Sequence, residues 1–398
     1  MRIGIYGGNA RPDAGGAYTL FETVKKDISA TNGDDEVFFF FADSSLPEEF
    51  SENKIFYVNL SRKKRKKRLA YKIKRILHKI KRVLSKRYRR QGLSSLFDDI
   101  LHEKQIDLLW LLGPYEVDTT VPYVFTVWDL GHRLLPCFPE MSTVGWKWDC
   151  RENLYQKMLY RATYIITGNK TGKQEILANY PVPAAKIHTI PFPIPNFCFD
   201  NDDGKEGGGI KSPFIFYPAQ FWAHKNHIAL VAAIAWLRDT QNTFINCYFV
   251  GADYGNLDNV KAAIRQHRLE KQVEVLGFVE RPTLAYLYRN ALAMTYVSLL
   301  GPNNLPPLEA AAYGCPLILS NIAGHIEQME GAGVLVDATN PVAIGEAILK
   351  IYENPPYRQS LITAELALAQ KYKNYSYFHE MQKIITAYAL LCKTWKYV

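Results

Sequence analysis

The sequence predicts an α/β protein of two doubly wound domains that face each other across a cleft. Short apolar segments of strand length alternate with amphipathic segments of helix length in both halves of the chain, which is typical of βαβ units and mostly parallel sheets. The chain has 398 residues, which is too long for one ordinary core and fits two. A stretch rich in proline and glycine separates the two series near the middle.

In the N-terminal half the elements follow in the order expected of such a domain. Strands are predicted at 2–6, 36–41, 54–60, 107–112, 123–127 and 162–167. A glycine-rich loop at 7–16 leads into a helix from about Ala17. Further helices are predicted near 93–103 and 152–160, and from about Thr171. The first domain is therefore assigned to residues 1–195 and a linker to 196–213.

The second series starts at Phe214. Its strands are FIFYPA, FINCYFVG, VEVLGF, LAMTYVS and PLILSN, with helical segments between them. The second domain is assigned to residues 214–372. The tail at 373–398 contains one more amphipathic segment, which we expect to pack back on the N-terminal domain as a helix.

Composition excludes several classes of protein. No apolar run approaches the roughly 20 residues needed to span a bilayer, and the chain enters a strand within three residues of its start, so we expect no signal peptide. The 6 cysteines stand apart with no C-x-x-C spacing, which argues against a structural zinc site or a disulfide framework. A reducing cytoplasm is the expected compartment.

The net charge of +9 comes from one segment, which begins at Arg62 and ends at Arg90 and holds 17 of the 48 Lys and Arg with no acidic residue. The remaining 31 basic residues (48 − 17) face 39 acidic ones, so the rest of the chain is near −8. Apolar residues recur in this segment at steps of three and four, from Leu69 to Leu84, which predicts a basic amphipathic helix.

Three interpretations of that segment are open. It can contact anionic lipid headgroups, since each basic residue near such a surface contributes about 1 kcal/mol. It can bind nucleic acid, but no aromatic platform or base-reading motif accompanies it, so no nucleic-acid partner is expected. It can also be a solvated face. The first is preferred, and it predicts a protein at the inner face of the cytoplasmic membrane.

The segment 298–320, SLLGPNNLPPLEAAAYGCPLILS, carries the sharpest chemical signal. A strand ends near Ser298, a tight loop follows, and Pro306 suits the first turn of a helix. Glu309 falls in that turn, where a carboxylate can accept hydrogen bonds from a ribose diol and the free amides suit a phosphate. A solvated, dipole-stabilising glutamate is the alternative.

This segment resembles the donor-site motif of the family 4 retaining glycosyltransferases, which have the GT-B fold of two Rossmann-like domains. The family pattern E-G-F-G-L-P-x-L-E-A, followed by A-x-G-x-P-V, is matched at Leu305, Pro306, Glu309 and Gly314 among others. Gly301 stands where the family has its first glutamate. The form G-P-x-N-L-P-P-L-E is similar to a branch of bacterial surface-polysaccharide transferases.

Other C-terminal segments add to the resemblance. In YPAQFWAHKNH, Lys225 is the position that in the family meets the donor diphosphate, and Gln220 replaces its usual arginine. The resemblance also implies that Gly251, Phe278 and Val279 surround the nucleotide. With Asn304, Leu305, Pro306 and Glu309 they complete the predicted donor site on this domain.

The resemblance implies two further groups in the N-terminal half. Gly15 and Gly16 belong to a loop that in the family faces the donor, and their lack of side chains permits close approach. The segment FTVWDLGHRLLPCFPE resembles H-D-L-x-H-x-x-x-P-E-F, with Trp128 in place of the first histidine. Asp129 and His132 are the catalytic candidates, and a hydrogen-bonded structural histidine is the alternative for His132.

Together with the resemblance, these features predict a glycosyltransferase for hexosyl or deoxyhexosyl transfer, and the resemblance implies that it retains the anomeric configuration. It would use a nucleotide-sugar donor as substrate, with no cofactor and no metal, and a glycan or lipid-linked acceptor in surface-polysaccharide synthesis. A catalytically degenerate, membrane-tethered binding protein and a nucleotide-sugar enzyme of another kind, such as an epimerase, are the alternatives.

Overall fold

The computed structural model describes residues 1–8, 16–31, 35–41, 47, 49–52, 55–60, 94–142, 148–199 and 209–395. The basic segment 62–90 and Gly15 lie outside these residues, so the predictions made for them are not addressed by the structure. The described residues form two α/β units, each built on its own sheet, as the sequence predicts.

The N-terminal sheet has eight strands among the described residues, in the order β3-β4-β2-β1-β5-β6-β7-β8. Every neighbouring pair is parallel except β3–β4, which is antiparallel at the edge. The strands are β1 (Arg2–Tyr6), β2 (Glu36–Phe41), β3 (Glu49–Glu52), β4 (Ile55–Asn59), β5 (Leu108–Leu111), β6 (Tyr123–Thr126), β7 (Tyr164–Thr167) and β8 (Ile187–Thr189).

Both faces of this sheet are covered, as expected for parallel strands joined by helices. Successive phenylalanines of β2 show the alternation: Phe38 and Phe40 pack into one core and Phe39 and Phe41 into the other. The helices are α1 (Gly16–Ala30), α2 (Ser94–Glu103), α3 (Gly131–Leu134), α4 (Pro139–Ser142), α5 (Trp148–Arg161) and α6 (Lys170–Asn179).

The C-terminal sheet has six strands in the order β11-β10-β9-β12-β13-β14, all parallel. They are β9 (Phe214–Pro218), β10 (Asn246–Val250), β11 (Val273–Gly277), β12 (Ala293–Tyr296), β13 (Leu317–Ser320) and β14 (Val334–Val336). The strand order reverses direction between β9 and β12, which creates a crevice at the carboxyl ends of these two strands.

Helices cover this sheet, and a last helix forms the C-terminal tail. They are α7 (His227–Gln241), α8 (Leu257–Gln266), α9 (Arg281–Asn290), α10 (Leu305–Tyr313), α11 (Ala323–Met329), α12 (Pro341–Glu353), α13 (Pro355–Tyr372) and α14 (Tyr377–Cys392). The last of them, α14, leaves the C-terminal unit and buries its apolar face in the N-terminal core. Tyr377 lies there 5.7 Å from Trp110 and 6.0 Å from Phe192, measured between ring centroids.

Three short strands are absent from the sequence-based assignment: β3, β8 and β14. β3 has the sequence EFSE with a single apolar side chain, and β8 and β14 have three residues each. Segments of this length and polarity show too few repeats to be recognised, and their pairing is decided by the neighbouring strand.

Candidate functional site

A cavity of about 400 Å³ lies between the two units. The carboxyl ends of β9, β10 and β12 and the start of α10 form one wall, and the start of α1 with Trp128 forms the other. Backbone amides at strand ends and helix N-termini are free to bind a ligand there. Ten of the predicted site residues line it: Gly16, Gln220, Lys225, Gly251, Phe278, Val279, Asn304, Leu305, Pro306 and Glu309.

Glu309 lies in the second turn of α10, not in the first as the sequence predicted, because the helix already begins at Leu305. The residue is 7% exposed. Its Oε2 accepts a hydrogen bond of 2.9 Å from the Tyr288 hydroxyl, which fixes the carboxylate toward the cavity. Burial raises the pKa of Glu309 to about 7, although Tyr288 and the nearby Arg281 act in the opposite direction. The group can therefore accept hydrogen bonds from a diol, and its charge depends on pH near neutrality.

Lys225 brings positive charge to the floor of the cavity. It ends a 3-10 turn after β9, and its Nζ donates to the Tyr296 hydroxyl at 2.9 Å, the Asn304 Oδ1 at 3.3 Å and the Ser298 Oγ at 3.4 Å. These partners are neutral, so the ammonium is oriented without being neutralised by them. A cation held in this way is suited to a phosphate group.

Asn304 occupies the space beside Gly301, where the resembled family carries a glutamate. A Cβ at Gly301 would lie 2.5 Å from Asn304 Nδ2. The same side chain is fixed on its other sides: its Oδ1 accepts from Tyr296, and its Nδ2 lies 3.0 Å from His325 Nε2. Burial lowers the pKa of His325 to about 4, so His325 is neutral and can accept this hydrogen bond. In place of the family's glutamate, this site therefore has the side-chain amide of Asn304, held by hydrogen bonds and in contact with Lys225.

Glycines allow the strand ends to approach each other at the cavity wall. A Cβ at Gly251 would lie 2.3 Å from the carbonyl oxygen of Ala219, and its φ is +154°. Its amide donates to Gly277 at 2.8 Å, which joins the ends of β10 and β11. Gln220, one residue after Ala219, accepts from Trp222 Nε1 at 3.1 Å.

The N-terminal wall comes close to the donor-motif helix. Gly16 begins α1, and a Cβ there would be 3.4 Å from Leu305. Phe278 follows β11 and is 60% exposed, so the face of its ring is available beside Val279. From residue type alone, Phe278 is expected in a hydrophobic core. Its exposure at the cavity is a finding of the structure.

Asp129 and His132 do not line the cavity. His132 has no exposed surface, its ring stacks on Tyr155, and its Nε2 lies 3.1 Å from Glu152 and 3.2 Å from the Tyr180 hydroxyl. Burial lowers the pKa of His132 to about 4. These contacts are those of a structural histidine, and contact of His132 with a substrate has no support in this geometry.

Asp129 is more accessible, with 28% of its side chain exposed. Its Oδ1 accepts from the Arg151 guanidinium and from the Gly131 amide, both at 2.7 Å. Although burial acts to raise the pKa of Asp129, these contacts outweigh it and lower the pKa, so the group is anionic. The neighbouring Trp128, not Asp129, is the residue of this segment that reaches the cavity.

Several lining residues were not predicted from the sequence. Arg281 at the start of α9 stacks over the Phe197 ring at 4.8 Å and adds a second cation to the wall. Tyr18, Thr19 and Tyr296 also line the cavity. Each lies within four residues of a segment that the sequence had singled out, but only the tertiary structure brings them to the same cavity.

Among the residues that the structure describes, no group of three His, Cys, Asp or Glu side chains is arranged to hold a metal ion. Within the same residues, no helix is both long and apolar enough to cross a membrane.

Two doubly wound units with a cavity at the ends of their strands define the class of the protein as a GT-B fold. Residues 199–366 match the family model described as glycosyl transferases group 1. The match covers less than half of the chain and lies in its C-terminal half, and it confirms the resemblance seen in the sequence to this group.

Solved structures agree with this fold over nearly the whole chain. Sucrose-phosphate synthase from Thermosynechococcus elongatus has a TM-score of 0.75 at 17% identity, over 98% of this chain and 100% of that one. Anabaena HepE in complex with UDP has a TM-score of 0.66 at 14% identity, over 98% and 100%. At these identities the likeness concerns the fold alone.

Curated relatives match over shorter regions. O-antigen chain mannosyltransferase B of Escherichia coli is 32% identical over 122 residues, which cover 31% of each chain. O-antigen chain mannosyltransferase RfbU of Salmonella typhimurium is 25% identical over 202 residues, 51% of this chain and 54% of the relative. The matched region therefore spans about a third to a half of these two relatives.

Proposed function

We propose that the protein is a retaining glycosyltransferase that takes a sugar from a nucleotide-sugar donor bound between its two domains. The observation that carries the proposal is the meeting of Lys225, Glu309 and the first turn of α10 around one cavity. A cation, a carboxylate that accepts hydrogen bonds from a ribose diol, and a backbone amide at a helix start suit a nucleoside diphosphate. In α10 that amide is the one of Leu305, because Pro306 and Pro307 have no N–H.

The donor would lie along the C-terminal wall. Its diphosphate would contact Lys225, Gln220 and the amides near Leu305, and its ribose diol would donate to Glu309. The exposed ring of Phe278 and the adjacent Val279 would flank the base. This arrangement supplies charge to the leaving phosphate from side chains, so the proposal needs no metal ion or cofactor.

Transfer would proceed with an acceptor hydroxyl forming a bond to the anomeric carbon as the bond from that carbon to the β-phosphate oxygen breaks. The leaving phosphate takes the hydroxyl proton, and Lys225 stabilises its developing charge. Asp129, with its accessible carboxylate, is proposed near the acceptor. The buried His132 would not touch substrate; its packing would position the segment after β6 that carries Trp128 and Asp129.

The proposed acceptor is a glycan or lipid-linked glycan of a bacterial surface polysaccharide. The names of the two O-antigen relatives support this choice, and a mannosyl donor is one candidate because both are named mannosyltransferases. The basic segment 62–90, outside the described residues, would hold the protein at the inner face of the cytoplasmic membrane. Sedimentation with vesicles, with and without anionic lipid, tests that association.

Thermal stability of the purified protein against UDP, GDP, dTDP, CDP and CMP tests the donor site. A ligand at 100 times its Kd adds about 2.7 kcal/mol to the folded state. We expect one nucleotide to stabilise the native protein and to stabilise Glu309→Ala far less. The sugar donors of that nucleotide are then assayed for transfer. If no nucleotide stabilises the protein, the donor site is refuted.

A second candidate is a catalytically degenerate protein that keeps the fold and binds a partner. Two features favour it: Gln220 in place of an arginine reduces the positive charge around a leaving phosphate, and a neutral Asn304 amide lies beside Gly301, where the family carries a glutamate. Nucleotide binding without turnover on any donor would support this candidate over the transferase.

A further inference from the structure

Two carboxylates cross the interface between the domains, each toward a loop that forms the donor cavity. The first is Glu140, in the first turn of α4 on the N-terminal domain. Its Oε1 accepts from the backbone amide of His224 at 2.9 Å and lies 2.5 Å from His224 Nδ1. His224 directly precedes Lys225, so this contact holds the turn that carries the phosphate-facing ammonium.

The second carboxylate points the other way. Glu327, on α11 of the C-terminal domain, accepts from the amides of Lys170 at 2.8 Å and Thr171 at 2.7 Å, and from the Thr171 hydroxyl at 2.7 Å. These amides form the start of α6 on the N-terminal domain, where the helix dipole favours a negative charge.

A neighbouring contact connects this second point to the donor loop. Asn169, the N-cap of α6, donates from Nδ2 to the Pro302 carbonyl at 2.5 Å. Pro302 lies in the loop between β12 and α10, two residues before Asn304. The loop is packed tightly from both sides: a Cβ at Gly324 would lie 2.6 Å from the Pro302 oxygen, and one at Gly168 would lie 2.5 Å from the Asn303 amide.

Both carboxylates are ionised in this arrangement. Burial acts to raise the pKa of Glu140, but the hydrogen bonds from His224 outweigh it and the pKa is lowered. The pKa of Glu327 is lowered as well, because the donors at Thr171 and Lys170 outweigh the effect of its burial. Charge-assisted hydrogen bonds of this kind are about twice as strong as neutral ones, and their loss is felt across the interface.

We propose that Glu140 and Glu327 form a two-point clasp that holds the domains closed and thereby positions the loops carrying Lys225 and Asn304 around the donor. Both glutamates are positioning residues, since neither lines the cavity. The identity of the ligand rests on the proposed function, but the clasp itself is a property of the chain. Opening the domains would release both loops together, because one point holds each loop.

The test compares the native full-length protein with Glu140→Gln, Glu327→Gln and the double variant. Two measurements need no ligand: the radius of gyration from small-angle X-ray scattering, and hydrogen exchange of the backbone amides of Lys170, Thr171 and His224. We expect the double variant to have a larger radius of gyration. We also expect protection to fall at Lys170 and Thr171 in Glu327→Gln and at His224 in Glu140→Gln, because a neutral amide oxygen accepts these hydrogen bonds more weakly than a carboxylate.

The third measurement is nucleotide affinity by titration with UDP and GDP. If domain closure and nucleotide binding are coupled as strongly as is usual between two sites, the Kd of the double variant should rise roughly tenfold. Glu330→Gln is the matched control, because Glu330 directly follows α11 but pairs with Lys371 within the C-terminal domain. It should leave all three measurements unchanged.

The outcomes separate the two proposals. A double variant with native dimensions and native amide protection overturns the clasp, whatever it binds. An opened double variant, in a protein whose native form binds none of the nucleotides, supports the clasp and refutes the donor site. A double variant that opens but binds the nucleotide with native affinity overturns the positioning role, because the loops would then be formed without closure.

Discussion

At the scale of single residues, the ionisation of Glu309 makes donor binding depend on pH. Burial raises the pKa of this carboxyl to about 7, so it is mostly neutral at pH 6 and mostly ionised at pH 8. A ribose diol donates more strongly to the anion than to the neutral acid. Nucleotide affinity should therefore rise with pH through neutrality, by up to about tenfold between pH 6 and pH 8.

The control for this prediction is Glu309→Gln, which keeps the shape and removes the ionisation. The nucleotide's own phosphate titrates in the same range and contributes equally to both proteins. Titration calorimetry at several pH values should show a steeper slope for the native protein. Equal slopes would mean that Glu309 does not contact the nucleotide.

Glu365 is a buried acid of a different kind, far from the cavity wall. It has no exposed surface, its Oε1 accepts from the Leu317 amide at 2.9 Å, and its Oε2 has no partner among the described residues. Burial raises the pKa of Glu365 to about 9, against about 4.3 for an unperturbed glutamate. The folded state therefore holds a proton that the unfolded chain releases, and stability conferred by this group falls as pH rises between these two values.

Glu365→Gln should remove that dependence. The variant should be as stable as the native protein near pH 5 and more stable by of order 1 kcal/mol or more at pH 8. Denaturant unfolding at the two pH values measures the difference. A variant that is less stable than the native protein at pH 8 would contradict the neutral state assigned to Glu365.

At the scale of elements, the close approach of strand ends decides the shape of the donor wall. Gly251 directly follows β10, at a point where a Cβ would lie 2.3 Å from the Ala219 carbonyl oxygen. Gly251→Ala should separate the ends of β9 and β10, lower stability by about 2–3 kcal/mol and weaken nucleotide binding.

Gly277→Ala, at the end of the adjacent strand, is the matched control. Gly277 has a φ of +70°, but no atom lies within 4 Å of a Cβ built there. It should cost only about 1 kcal/mol, from the left-handed backbone conformation. Thermal unfolding and nucleotide titration of both variants measure the contrast. Equal effects would show that backbone conformation, not the clash with Ala219, requires glycine at 251.

At the scale of the whole molecule, the tail returns to the N-terminal domain and is fixed there by a residue of α1. Asp27 Oδ2 accepts from the Ser376 hydroxyl and from the Phe378 amide, both at 2.8 Å, at the start of α14. Asp27→Ala should lower the free energy of unfolding by about 1–2 kcal/mol, because a helix cap is lost.

Asp27→Asn tests whether the hydrogen-bond acceptor or the negative charge of Asp27 matters. It retains an oxygen that can accept both hydrogen bonds and should cost less than the alanine variant. Denaturant unfolding, with hydrogen exchange at the Phe378 amide, measures both. If the two variants unfold like the native protein, Asp27 does not anchor the tail.

Much of the cavity lining was predictable from local sequence because its residues cluster near strand ends. The segment from Ser298 to Ser320 contains a strand, a loop and a helix start in order, and that order places Glu309 beside the ends of parallel strands. In a parallel sheet, every loop that leads from a strand to a helix lies at the carboxyl end of the strands, so the pattern alone fixes the edge at which Glu309 lies. Lys225, after β9, reaches the same end for the same reason.

Asp129 and His132 show where this reasoning fails. They follow β6 and reach the correct edge of the sheet, but the sequence does not tell which side chains turn into the cavity. His132 turns into the core between Tyr155 and Tyr180, and Trp128 turns outward. Packing against helices distant in sequence decides the direction of each side chain.

The sequence by itself determined two α/β domains, most of their strands and which loops line the cavity, because periodicity, turn residues and motif order are local properties. The tertiary structure decided how the loops meet: the Asn304 amide beside Gly301, the entry of Arg281, and the contacts of Glu140 and Glu327 across the interface. These features join residues up to 157 positions apart. No local pattern records such pairs, because their energy depends on the relative placement of two folded domains.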